Sequence, residues 1–293
     1  MVIGDIRPEA YTAISPSLDQ TRTLFVPTNV ASWDSHAALF KQAYEWSGER
    51  VDFFAANAGI EDQEPTVGPW DLDAEPKKPN LRCVEVNEIG VFYGLKLFIH
   101  YSRKTQRALK GHPGVQANSS LDPASFNPKM VITASCAALY PFPVAPQYNA
   151  AKHAVLALTR AVGKNLLASD NIAVNCIMPA YVITALSPPA VTAEWPKEYI
   201  TPLSTLLRAY DELTDEAGKV EQDGLSDGID GKIKAGQAVE CVVNKLYYRK
   251  PVPYADDSQK FLIEQCFPPN GLWLKAMEMK IAAAASGVSQ ASA

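Results

Sequence analysis

Cysteine and histidine are both scarce in this chain. Its 293 residues hold five of the first (Cys83, Cys136, Cys176, Cys241, Cys266) and four of the second (His36, His100, His112, His153). No Cys-x-x-Cys or His-Glu-x-x-His pairing occurs, so no metal site is expected. An odd number of widely spaced thiols argues against a disulfide framework and for free thiols in a reducing compartment. An excess of basic charge is also missing: 27 Lys and Arg against 32 Asp and Glu leave a formal net charge of -5 with no basic stripe. That balance excludes nucleic acid as the main partner. No signal peptide, membrane-spanning run or lipidation motif is visible, so the expectation is a cytoplasmic protein without a membrane partner.

What is present is enough apolar material for a full core, 47% of the residues, and one α/β domain with appendages is the default at this length. The densest chemistry lies in Met130 to Lys152, MVITASCAALYPFPVAPQYNAAK. The β-branched run Val131-Ile132-Thr133 predicts a buried strand, and a proline-punctuated loop then leads into a helix beginning near Tyr148. Ser135 therefore falls at a strand's carboxyl end. Tyr148 and Lys152, four apart, project from one helix face. A phenol beside an ammonium is a poised acid or base, since the cation favours the phenolate.

A Ser followed by Tyr-x-x-x-Lys in this arrangement resembles the active site of the short-chain dehydrogenase/reductase family. The likeness runs over about residues 1 to 265, and it implies an α/β fold with a Rossmann-like doubly wound parallel sheet. It also implies roles for residues in chain order. Asp5, closing a short first strand, would accept hydrogen bonds from the adenosine ribose. Asn29-Val30 stands where the family usually has Asp-Val beside adenine. Asn57-Ala58-Gly59, after the strand Val51 to Phe54, resembles the family's Asn-Asn-Ala-Gly bordering the cofactor. Asn87, in a predicted helix from Leu81 to Arg107, would anchor a proton relay to Lys152. Met178 to Thr184 (MPAYVIT) resembles Pro-Gly-x-Val-x-Thr with Ala180 in place of glycine, so that Val182 would meet the nicotinamide amide and Thr184 a phosphate. Ser135, Tyr148 and Lys152 complete the catalytic set, and Tyr148 and Lys152 also border the cofactor.

One departure is large. No glycine-rich phosphate turn precedes these motifs, so the family's first strand and turn are missing from the pattern, and the sheet is expected to have a gap. The cofactor implied is NAD or NADP; Asp5 favours NAD, and Arg7 keeps NADP open. The likeness is greatest to the hydroxyprostaglandin-dehydrogenase-like branch and to reductases of fungal secondary metabolism. The expected function is interconversion of a secondary alcohol and a ketone on a small organic substrate. Two alternatives stand beside it: a non-redox acid/base enzyme (isomerase, dehydratase or cyclase) on a degenerate scaffold, and a catalytically silent truncated member.

The expected organisation is one catalytic domain over residues 1 to 267, with 185 to 235 as a substrate lid, and a tail over 268 to 293. A turn-rich insertion is expected at 110 to 129, and Gly236 to Val243 as the last strand. The helices carrying Asn87 and Tyr148 have apolar faces suited to a homo-oligomer.

Overall fold

A computed structural model describes residues 1–67, 71, 73–110, 126–215, 225–228, 233–268 and 271–285, with side chains to 282. Most of the expected 110–129 insertion, the parts of the expected lid at 216–224 and 229–232, and the end of the tail lie outside the described residues. The chain forms two compact units, Met1–Arg249 and Lys250–Ala293. That boundary precedes the expected one at 267, because the sheet ends at Tyr248 and residues 250–256 join no strand or helix.

In the first unit, β1 (Val2–Asp5) pairs in parallel with β2 (Leu24–Pro27). A second sheet has the order β3 (Phe53–Ala56), β4 (Lys129–Thr133), β5 (Ala173–Pro179), β6 (Ala238–Val242), β7 (Lys245–Tyr248). Its first four strands are parallel; β7 returns antiparallel through a tight turn in which Val243 has φ 53°. The predicted last strand therefore has a successor. The run Lys245-Leu246-Tyr247-Tyr248 has strand character, and Val243-Asn244 is its turn.

Alternation along β4 and β5 builds a core on each face of the sheet. Met130, Ile132, Val174, Cys176 and Met178 join one buried cluster; Val131 and Ile177 join the other. On the first face lie α4 (Gly90–Leu109) and α5 (Pro146–Asp170), contributing Leu95, Phe98, Val155 and Leu158. α7 (Leu203–Thr214) covers the second with Ala209 and Leu213. Helices on both faces of a parallel sheet make this a doubly wound α/β fold. The connections add α1 (Pro8–Ile14), where only a turn is expected from the sequence, and α2 (Trp33–Trp46), capped by Ser32 accepting from the Ser35 amide. α3 (Arg82–Val84) leads into α4 through a π turn at Glu85–Ile89, and α6 (Pro189–Glu194) precedes α7.

The expected gap is real among the described residues: β1 and β3 are not paired. Both line one cavity of about 640 Å³, which also receives His36, Phe40 and Val91. The two sheets nevertheless point the same way. Val30, just past β2, packs against the backbone of Gly90, while Ile60, just past β3, is hydrogen-bonded to Asn87 one helical turn earlier. The carboxyl ends of β2 and β3 thus abut the same stretch of helix. Phe53 on β3, 45% exposed, faces a further cavity of about 680 Å³ with Tyr210 and Phe126.

The second unit has α8 (Asp257–Phe261), capped by Asp256 accepting from the Gln259 amide, and α9 (Leu272–Ala285). A π turn at Leu262–Cys266 follows α8, and Phe267 meets Trp273 edge-on at 5.6 Å. The short Trp273-bearing helix expected in the tail is therefore present.

Candidate active site

Ser135, Tyr148 and Lys152 converge at the carboxyl ends of β3, β4 and β5. The chain leaves β4 at Thr133 and makes a short turn at Cys136–Ala138, whose amide at Ala137 donates to the Ser135 hydroxyl at 3.2 Å. That bond fixes the serine side chain toward the start of α5. The helix begins two residues earlier than Tyr148, at Pro146, whose missing N–H is harmless in a first turn.

Lys152 is buried on the inner face of α5. Its Nζ donates to the Thr133 carbonyl at 2.7 Å and stands 5.3 Å from the Tyr148 ring centroid. Burial lowers the ammonium's pKa to about 8. The phenol behaves otherwise than the helix spacing suggests: the Tyr148 pKa is raised, chiefly by burial, with the Ser135 hydroxyl pulling it down and Cys136, Glu61 and Cys83 pushing it up. Desolvation is the largest cause, and the nearby Lys152 is itself desolvated. At neutral pH the group is a protonated phenol, a donor rather than a base.

Asn87 is buried inside the π turn, a feature frequent at functional sites. Its side chain reads the backbone of Ile60 at both ends: Nδ2 donates to the carbonyl at 2.7 Å, and Oδ1 accepts from the amide at 2.9 Å. Nδ2 also lies 3.2 Å from the Cys83 sulfur. What the structure shows of Asn87 is a clamp on the loop after β3. Gly59 lies between this clamp and the lysine. A Cβ there would stand 3.2 Å from Asn87 Oδ1 and 3.7 Å from Lys152 Nζ. Asn57 Oδ1 accepts from the Thr133 hydroxyl at 2.9 Å, tying the ends of β3 and β4 together. Ala58 continues the same turn and lines the gap between the sheets.

Val182 and Thr184 follow β5. Ser187 binds both, donating to the Val182 carbonyl at 2.8 Å and accepting from the Thr184 amide at 3.1 Å, while Thr184 Oγ1 accepts from the Leu186 amide. The Thr184 side chain is therefore engaged within its own turn. Across the gap, Asp5 accepts from the Arg7 amide at 2.8 Å and pairs with its guanidinium at 3.7 Å. Asn29 Oδ1 accepts from Ala31 N and from Arg82. The acceptor that the Asn29 substitution preserves is thus already used.

The candidate residues form two groups. Asn57 to Gly59, Asn87, Ser135, Tyr148 and Lys152 gather around the end of β4 and the start of α5, with Val182 and Thr184 beyond β5. Asp5, Asn29 and Val30 lie across the cavity. Sequence reading missed Asp62, whose carboxylate accepts from the amides of Gln147 and Tyr148, and Tyr210, whose hydroxyl lies 3.2 Å from that of Thr133. Both act over more than seventy residues of separation, for which local pattern carries no signal. Among the described residues no cluster of His, Cys, Asp or Glu could hold a metal ion, and no helix is long and apolar enough to cross a membrane.

The profile of the short chain dehydrogenase family matches residues 120–195, from before β4 to just past the end of α6. Short-chain dehydrogenase/reductase prx6 of Penicillium rubens is 32% identical over 252 residues, spanning 84% of this chain and 74% of that protein. This chain belongs to the short-chain dehydrogenase/reductase family. Human 15-hydroxyprostaglandin dehydrogenase [NAD(+)] is 25% identical over 61% of the chain and 55% of its own length. Among solved structures, 3-ketoacyl-(acyl-carrier-protein) reductase from Brucella melitensis, complexed with NADH, superposes with TM-score 0.60 at 20% identity, covering 83% of this chain and 86% of that one. That likeness carries the fold. Family membership supports an NAD(P)-dependent oxidoreductase, as the motifs imply.

Proposed function

We propose that this short-chain dehydrogenase/reductase interconverts a ketone and a secondary alcohol on a small organic substrate, with Tyr148 as proton donor to the substrate oxygen. The observation that carries this reading is the gathering of Ser135, Tyr148 and Lys152 between the end of β4 and the first turns of α5, with the phenol held protonated by burial. Ser135, oriented by Ala137, holds the same substrate oxygen. Lys152, fixed by Thr133, keeps a positive charge beside the phenol as negative charge develops there.

The residues present fit the nicotinamide half of a dinucleotide. Gly59 leaves open a space that a Cβ would close against Asn87 and Lys152, and Val182 is the candidate for the nicotinamide amide. A bound nicotinamide would supply or accept the hydride; Lys152 and Tyr148 would hold its ribose and Thr184 a phosphate. Asp5, Asn29 and Val30 are the adenosine-side candidates, and Asp5 favours NAD, although its contact with Arg7 leaves NADP open. The pyrophosphate lacks a glycine turn among the described residues. Losing two or three charge-assisted hydrogen bonds of about 1.5 to 3 kcal/mol each weakens binding by several powers of ten.

A hydroxylated metabolite is the substrate class that the name of the 15-hydroxyprostaglandin dehydrogenase relative supports, and the Penicillium relative is in keeping with fungal secondary metabolism. The partners proposed are a small-molecule substrate and a second copy of the chain through the outer faces of α4 and α5, their inner faces being packed against the sheet. The test is a ketone and alcohol panel with NAD(H) and NADP(H), run on this chain and on a version carrying a strand, glycine turn and helix ahead of Met1. Cofactor absorbance change in either supports oxidoreduction, and its absence from both overturns it. The split sheet favours one second reading, a non-redox acid/base enzyme using the same three residues. Tight NADH or NADPH binding by calorimetry would exclude that.

A further inference from the structure

Helix α5 carries the phenol in its first turn, yet it lacks a cap of its own. Its N-cap position is Ala145, which has no side chain able to accept from the orphan amides of that turn. Ordinarily a Ser, Thr, Asp or Asn there would satisfy the second or third amide. Here those amides belong to Gln147 and Tyr148, and both donate to a single carboxylate from elsewhere in the fold. Gln147 N reaches Asp62 Oδ2 at 3.1 Å, and Tyr148 N reaches Asp62 Oδ1 at 2.7 Å.

Asp62 is held just as firmly from behind. It follows Ile60, which Asn87 grips through both amide and carbonyl. The neighbouring turn is tied to the same helix end, where Gln147 Nε2 donates to Thr66 at 3.3 Å. A negative charge at a helix amino terminus is favoured by the helix dipole. The Asp62 charge is felt nearby as well: together with burial it pushes the Cys83 thiol up to about 12.

We infer that Asp62 is a positioning residue for Tyr148, capping the amino end of α5 from the loop after β3 and so coupling the Asn87 clamp to the proton donor. The inference rests on the reading of Tyr148 as that donor. It makes the loop after β3, rather than the residues preceding α5, the element that sets where the phenol points. It also gives Asn87 a second route of influence on the site through Ile60.

The test compares Asp62→Ala with Asp62→Asn, which keeps one acceptor oxygen, and begins with measurements that need no turnover. In Asp62→Ala the Gln147 and Tyr148 amides are expected to exchange about ten-fold faster, while Val155 and Leu158 in mid-helix keep their wild-type rates. With 13Cζ-labelled tyrosine, assigned through Tyr148→Phe, the Tyr148 titration is expected to move down in Asp62→Ala as the ring gains water. Asp62→Asn is expected to retain most of both properties. Unchanged amides, or faster amides with an unmoved Tyr148 titration, would overturn the proposal. Where wild type turns over, kcat is expected to fall about ten-fold or more in Asp62→Ala, with KM within two-fold and recovery in Asp62→Asn. A wild type with no turnover but the expected exchange and titration changes would sink the oxidoreductase reading and leave the cap standing.

Discussion

Replacing Lys152 with Met should stabilise the fold at neutral pH while removing the cation from the site. The side chain is 4% exposed, and burial lowers its pKa from 10.5 to about 8. Between those values the unfolded chain binds more protons than the folded one, so stability rises with pH across that window. The penalty is fully present below about 8 and fades as pH approaches 10.5. A shift of this size corresponds to about 3 kcal/mol at pH 7. Methionine fills a similar volume but forfeits the hydrogen bond to the Thr133 carbonyl, about 1 kcal/mol. The net expectation is a variant more stable than wild type by about 2 kcal/mol at pH 7. By pH 10 most of the wild-type penalty has gone, and the advantage vanishes or reverses. Urea unfolding of both proteins at the two pH values reads this directly, because groups common to both cancel in the difference. A gap that stays the same at pH 7 and pH 10 would refute the reasoning, since it would mean the buried amine keeps an ordinary proton affinity.

Tyr148→Phe and Ser135→Ala should each lower kcat by about a hundred-fold or more in any assay where wild type turns over; rates within three-fold of wild type would remove them from the chemistry. His36 is 2% exposed with neither ring nitrogen in a regular hydrogen bond, and burial lowers its pKa to about 4 against the pull of the Val30 backbone. Wild type should therefore lose about 2 kcal/mol between pH 7 and pH 4.5, as the unfolded imidazole takes up a proton the folded one refuses, and His36→Phe should lack this loss in urea titrations. Gly163→Ala would place a Cβ 2.3 Å from the Gly236 amide nitrogen and 2.8 Å from the Val174 carbonyl, both backbone. Prising α5 from the sheet should destabilise by about 3 kcal/mol, visible as a drop in thermal midpoint.

The parts legible in the sequence were those with local causes. A β-branched run marked β4, helical spacing marked α5, and Ser135, Tyr148 and Lys152 could be placed because a strand end and one helix turn set their directions. The missing phosphate turn foretold the gap between β1 and β3. What the sequence concealed depends on distant partners. The direction of Tyr148's acidity turned chiefly on desolvation by the assembled pocket, where spacing alone would have called the cation decisive. The capping carboxylate of Asp62 is 85 residues from Gln147. Asn87 was visible as an anomaly in a helix, but its partner Ile60 could not be read from the helix itself. Helix α1 was hidden by Pro8, which reads as a turn and instead begins the helix.

The division of the sheet also divides the site's dependencies. Among the described residues, the hydrogen bonds that hold Ser135, Tyr148, Lys152 and Asn87 come from β4 and the turn after it, from α3 and from the loop at 59–62, all on one side of the cavity. The adenosine-side residues Asp5 and Asn29 are held by their own turns on the other. Whatever spans the gap therefore governs how tightly a dinucleotide is gripped, while the acidity and aim of the phenol are set without it. On the proposed reading, proton transfer and cofactor affinity are separately built. A change that repairs one, such as a strand and glycine turn ahead of Met1, should move cofactor Kd by orders of magnitude and leave the Tyr148 titration where burial has put it.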